Sequence, residues 1–141
     1  MTVLTDDIRA ALIAGRLAHL VTINPDSSPQ VSVVWIGLDG DDIVVGHLMG
    51  GRKVTNIARA PRVALSVEAE VANPVGTANY LLVHGTARLV QGGAPALLQR
   101  LAEIYLGPGV KFPPFHNPPP GHVIRITIDR VRGVGPWTDR P

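Results

Sequence analysis

"QVSVVWIGLDGDDIVVGHLMGGRKVTNIARAPRVALSV", residues 30–67, is the stretch that decides the fold. Residues 30–39 read as a strand that is apolar on both faces. Val31, Val33 and Trp35 point one way, and Val34, Ile36 and Leu38 the other. Asp39-Gly40 is a hairpin signal, and a second apolar strand follows over 42–49. Gly50 and Gly51 then open a helix over about 52–60 that carries Val54, Ile57 and Ala58 at core spacing, and Pro61 stops it. Residues 62–70 return to strand character.

Outward from this stretch the pattern continues. Thr5 caps a first helix with Asp6 and Asp7 in its opening turn, Ile8, Ala11 and Leu12 as its apolar stripe and Gly15 at its end. Residues 16–24 form a strand, and "PDSSP" (25–29) a turn. Past residue 70, a strand runs over 79–91. A helix over 94–107 has Pro95 in its first turn and Gly107 at its stop, and the last strand is 122–134, heading for Trp137. Between them "GPGVKFPPFHNPPPG" (107–121) holds six prolines. A loop of that length in a compact domain serves as a lid or a binding segment, or lacks fixed order. The resulting order of three helices among six antiparallel strands predicts a mainly β (α+β) fold. It is a small β-barrel with peripheral helices, not a doubly wound sheet.

With 141 residues, 45% of them hydrophobic, the chain is expected to be a single domain over 1–141 with an aliphatic core. The absence of cysteine removes disulfides and thiolates, and fits a reducing compartment. Acids stand where a secretory leader would carry bases, and no run reaches the roughly 20 apolar residues of a membrane span. The expectation is a cytoplasmic protein with no membrane role. A net charge of +2 with arginines scattered singly gives nucleic acid no basic face, so none is expected as a partner. The two-sided strand over 30–39 needs two dry partners, one inside the barrel and one outside it. A homodimer with ligand sites at its interface meets that need, and so does a covering helix.

Several chemistries fail on spacing. Gly46 and Gly51 have the separation of a P-loop, but Arg52, Lys53 and Val54 follow where Lys and then Ser or Thr are required. The dinucleotide fingerprint G-x-G-x-x-G is missing. The five histidines (19, 47, 84, 116 and 122) lack zinc spacing, so no metal is expected; His19 and His84 read as structural strand residues. No serine sits in a G-x-S-x-G setting. What remains is the helix start. Arg52 and Lys53 lie in the first turn, where free N–H groups and the helix dipole favour an anion. Asn56, three residues beyond Lys53, is expected on the side away from the apolar stripe, where it would join them on a phosphate.

Residues 17–67, "VHGTARLV" (83–90) and "HVIRITIDRVRGVGPW" (122–137) together resemble the split β-barrel flavin and deazaflavin proteins related to pyridoxamine 5'-phosphate oxidase. "GRKVTNIARAPRVAL" (51–65) is the most specific part, and the branch it resembles is the actinobacterial oxidoreductases that use coenzyme F-420. The resemblance implies a six-stranded split barrel of the FMN-binding type. It implies a homodimer with cofactor sites at the interface, and hydride transfer from the deazaflavin to a small-molecule substrate. Lys53 becomes the phosphate ligand, with Arg52 and Asn56 beside it. Val31, Ser32, Val33, Val34 and Trp35 run along the ring, and His47, Leu48 and Met49 lie near the ring or ribityl chain. Tyr80 and Trp137 become contacts from the partner subunit; the proton that completes the reduction is expected from solvent or a nearby donor, with Tyr80 one candidate. Arg59 or Arg62 could reach the oligoglutamate tail. The resemblance leaves FMN as the alternative cofactor, in an oxidase or flavin reductase, and a non-catalytic F-420 or haem carrier as a third reading. It assigns no catalytic residue.

Overall fold

The computed structural model describes residues 4–138, apart from the side chains at 70–72. The elements are α1 (Asp6–Leu12), β1 (Ala18–Ile23), β2 (Pro29–Val34), β3 (Gly37–Asp39), β4 (Asp42–His47), α2 (Arg52–Arg59), β5 (Arg62–Ala72), β6 (Ala78–Gln91), α3 (Ala94–Tyr105) and β7 (His122–Val134). All strands pair antiparallel in one sheet of order β2-β1-β5-β6-β7-β4-β3. β2 and β3 stand at opposite ends of that order, yet only Trp35 and Ile36 separate them in the chain. The sheet must therefore curl until its two edges meet, which makes it a barrel.

The sheet has seven strands, not the expected six. Residues 30–39 look like one continuous apolar run, but the chain leaves one sheet edge after Val34 and joins the other at Gly37. Alternation of side chains does not register such a bend. The fold class is otherwise as expected, and the split-barrel arrangement is present.

Aliphatic side chains fill the barrel. Leu20, Ile36, Ile43, Leu81, Ile124 and Ile126 are all buried. Burial of each such side chain contributes roughly 1.5–3 kcal/mol. Gly85 marks the one place where β6 and β7 slip register, since a Cβ there would lie 2.6 Å from the Thr127 carbonyl oxygen. α1 closes one end. Thr5 caps it by accepting a hydrogen bond from the Ile8 amide at 3.4 Å, and Ile8, Ala11 and Leu12 are buried as the stripe requires. Among the described residues no helix is long and apolar enough to cross a membrane.

The outer face of the sheet follows from register. One row across it is Val33, His19, Ser66, Leu82 and Arg132, and the next is Val31, Val21, Ala64, His84 and Arg130. Val31 and Val33 are 56% and 57% exposed, so the two-sided pattern of β2 leaves one face uncovered by this chain. His19 and His84 belong to this outer face, not to the core.

Candidate functional site

α2 starts at a bare end. Its N-cap, Gly51, makes no side-chain capping bond, and no acid stands in the first turn. The Gly51 carbonyl accepts from the amides of Val54 and Thr55, both at 3.1 Å, so the helix is closed behind its first residues. The amides of Arg52 and Lys53 are left among the donors that an α-helix does not satisfy internally. Positive backbone potential and two cationic side chains thus coincide at one point.

The two bases differ in setting. Arg52 is exposed, near enough to the Asp26 carboxylate to help hold it below its ordinary value, although the hydrogen bonds from Ser28 do most of that. Lys53 is half-buried, and burial alone pushes its ammonium below the usual lysine range. No carboxylate among the described residues pairs with it. A partly desolvated cation without a counter-charge is costly unless an anion joins it. Lys53 lines a cavity of about 200 Å³ with Val33 and Val34 from the end of β2, Trp35 just after it, Gly46 from β4, Leu98 from α3 and Phe112. The expected ring-side residues Val33, Val34 and Trp35 and the expected phosphate ligand are thereby brought to one place.

Trp35 is fixed from behind. Its ring stacks on Tyr105 of α3, centroids 5.1 Å apart and planes 11° from parallel, and Phe112 leans on it at 5.1 Å. Tyr105 is anchored in turn. Its hydroxyl accepts from the Ile36 amide at 3.0 Å and donates to the Arg16 carbonyl at 2.9 Å. Burial raises its pKa, so it remains a neutral donor. Phe112 belongs to the proline-rich segment, which therefore walls this cavity.

His47 ends β4 opposite His122 of β7. Burial holds its imidazole below the ordinary value, and the charges of Lys53 and His122 add to that. Its Nε2 is buried without a hydrogen-bond partner, and a Cβ on Gly51 would come within 3.6 Å of it. The start of α2 thus gathers an unpaired ammonium, free amides and an unpartnered imidazole nitrogen. Leu48 and Met49 follow in the connection to α2; Met49 is exposed.

Asn56 is corrected. It does not project beside Lys53 but lies buried under α2, donating to Thr22 Oγ1 at 3.0 Å and Asn24 Oδ1 at 2.9 Å. Its own Oδ1 accepts from Arg59 at 3.3 Å, and Arg59 also reaches the Ile23 carbonyl. Asn56 fastens the helix to the β1–β2 hairpin, and Arg59 is engaged there instead of being free for a cofactor tail. Ala58, expected in the apolar stripe, is exposed. Tyr80 and Trp137 lie together, the Trp137 indole donating to the Tyr80 carbonyl at 2.9 Å, and neither lines the Lys53 cavity. Among the described residues no cluster of three metal-ligating side chains occurs.

Residues 4–135 match the sequence profile of the pyridoxamine 5'-phosphate oxidase family. The chain belongs to that family. Its fold is similar to that of an F420 reductase, 26% identical, with a TM-score of 0.74 over 92% of this chain and 98% of the other. It also resembles a conserved hypothetical protein from Mycobacterium tuberculosis, 23% identical, with a TM-score of 0.70 over 96% and 86% of the two chains. An FMN-binding protein from Syntrophomonas wolfei shares the fold at 13% identity, TM-score 0.65, over 90% and 83%. No curated protein matches the sequence. The resemblance to split-barrel flavin and deazaflavin proteins is thus established at the level of family and fold.

Proposed function

We propose that the protein is an oxidoreductase that uses coenzyme F-420 to pass a hydride to a small organic substrate, acting as a homodimer. One observation carries this reading: the half-buried, unpaired Lys53 at the uncapped start of α2, set against the apolar end of β2. The donor set suits an anionic phosphate, and the orphaned His47 Nε2 offers one more polar contact. The apolar wall of Val33, Val34 and Trp35 suits a flat ring. Similarity to an F420 reductase supports the deazaflavin over FMN.

When bound, the deazaflavin supplies the hydride from C5. The chain's own residues supply binding, orientation and dryness. Lys53 and the first amides of α2 would hold the phosphate, with the exposed Arg52 next to them in the chain. β2 ends the hydrogen-bonded order, so one row of its backbone groups faces away from β1 and is free to bond the ring edge. Trp35, braced by Tyr105 and Phe112, limits where the ring can lie, and Phe112 screens it from water.

The size of the site supports the homodimer. A cavity of about 200 Å³ is smaller than the roughly 300–1,000 Å³ of small-molecule sites, and a second copy is the surface proposed to complete it. The exposed Val31 and Val33, next to Val21 and Ala64, form an apolar patch on a face that also carries His19, Ser66 and His84, and this patch offers a second copy a surface beside that cavity.

Titration of the purified protein with coenzyme F-420 and, separately, with FMN tests the reading through ligand fluorescence. Saturable binding of F-420 in preference to FMN, with oxidation of the reduced coenzyme by some member of an enone and quinone panel, is the expected result. Preference for FMN would move the protein to the flavin branch. Binding of neither would end the oxidoreductase reading.

A further inference from the structure

A second cavity, of about 380 Å³, lies at the end of the barrel closed by α1 and shares no lining residue with that of Lys53. Its walls are mostly apolar: four alanines, Pro136 and one indole. Ala10 and Ala11 of α1 and Ala14 just beyond it line the cavity together with Ala69 of β5, and Pro136 and Trp137 form a side. Two glycines shape that side. A Cβ on Gly133 would lie 2.2 Å from the Tyr80 carbonyl oxygen, and one on Gly135 only 2.5 Å from the Trp137 ring. The chain can thus turn tightly off β7 and fold the indole back, where its N–H is held by the Tyr80 carbonyl.

One buried polar residue stands in the wall of this space. Asn79 is 4% exposed and lines the cavity, and its Oδ1 is buried with no hydrogen-bond partner. An unmet acceptor in such a place costs about 1–3 kcal/mol unless something donates to it. The one charged group on the lining is Asp7, an exposed carboxylate at the rim. The Trp137 N–H is already engaged by the Tyr80 carbonyl, so the indole offers the cavity no free donor. Asn79 and Asp7 each accept a donor or a positive charge.

We propose that this cavity is a binding site for a small apolar amine: the Asn79 side chain turns its buried Oδ1 into the cavity to accept from the ammonium under the field of Asp7, and the hydrocarbon body packs on the alanines and the Trp137 indole. The proposal stands on this chain's own residues and does not depend on which cofactor the Lys53 site takes.

The test is a titration with 2-phenylethylammonium, followed by the Trp137 indole and Asn79 side-chain amide signals in a nitrogen–proton correlation spectrum. 3-Phenylpropionate serves as the probe of reversed charge. The amine should shift both signals saturably, and the carboxylate should not saturate. Asn79→Leu should weaken the amine at least tenfold, while Asn79→Asp, which keeps an acceptor and adds charge, should bind it as well or better. Ala10→Phe, at an exposed wall position, should abolish binding by filling the cavity even if Asn79→Leu fails to fold. Absence of saturation by the amine, equal binding of the carboxylate, or unchanged affinity in Asn79→Leu or Ala10→Phe would overturn the proposal. So would displacement of the amine by saturating coenzyme F-420, because the cavity would then belong to the cofactor site.

Discussion

The two cavities are opposites in polarity. Both are lined mostly by apolar groups, but at the start of α2 the polar groups are donors: the Lys53 ammonium in the lining, with free backbone amides and His47 close by. Beneath α1 they are acceptors, Asn79 in the wall and Asp7 at the rim. In both, a polar group is held without an internal partner at a cost to stability. A fold can carry such a cost where a ligand repays the desolvation. The contrast predicts that replacement of either polar group should lower affinity for the ligand of that cavity alone, while stability holds or improves.

The largest effect is expected at Lys53. A hydrogen bond to a charged group contributes about 1.5–3 kcal/mol, so Lys53→Met should weaken F-420 or FMN binding by roughly ten- to a hundred-fold. The urea midpoint should stay level or rise, because a half-buried cation is removed. A lower midpoint with unchanged affinity would make Lys53 structural and collapse the comparison. Asn79→Leu should likewise raise the melting temperature, with cofactor affinity untouched.

Asn56, three residues from Lys53 on the same helix, should behave in the reverse way. Its amide is fully engaged with Thr22 and Asn24, and Asn56→Ala leaves those partners unmet in a buried place. A loss of about 1–3 kcal/mol in unfolding free energy is expected, with cofactor affinity falling only as far as the helix start shifts. Urea denaturation and cofactor titration on one sample separate the two effects. A large affinity loss at full stability would return Asn56 to the phosphate. A smaller change is expected for Tyr105→Phe, which takes the acceptor from the Ile36 amide and the donor from the Arg16 carbonyl. About 1 kcal/mol of stability should go, and Trp35 emission should report a looser ring. Unchanged emission would mean that Trp35 does not need this brace.

What was legible in the sequence is what short-range physics determines. The Thr5 cap, the stripe of α1, the bare glycine start of α2 and the full span of β7 follow from side chains within a turn or an alternation of one another. The misses have longer reach. The break at Trp35–Ile36 comes from the closing of the barrel, which the local alternation of 30–39 does not encode. The spacing of Asn56 from Lys53 and from the expected apolar stripe predicts an outward position, but its partners are 32 and 34 residues away in the chain. At about 100° per residue, Asn56, Ile57 and Val54 span one arc of α2, and Ala58 falls about 40° past its end. That places both residues once the docking of the helix is known. The Asn79 cavity left no signal, since alanines, a glycine pair and one asparagine meet there from four separate elements.

The smallest effect is the pH dependence set by His47, whose imidazole is held below its ordinary value of 6.5 by burial and by the charges of Lys53 and His122. The unfolded chain takes up a proton near 6.5 where the folded one resists it. The contribution of His47 to stability is therefore complete above that pH and lost as the pH falls towards the folded-state value. A bound phosphate reverses the sign locally, because its negative charge favours the protonated ring. Between pH 7.5 and 5.5, cofactor affinity should rise more steeply in the native protein than in His47→Gln. The difference between the two removes the titration of the ligand itself. Parallel slopes would show that the anion does not reach His47, and would confine the donor cavity to Lys53 and the first amides of α2.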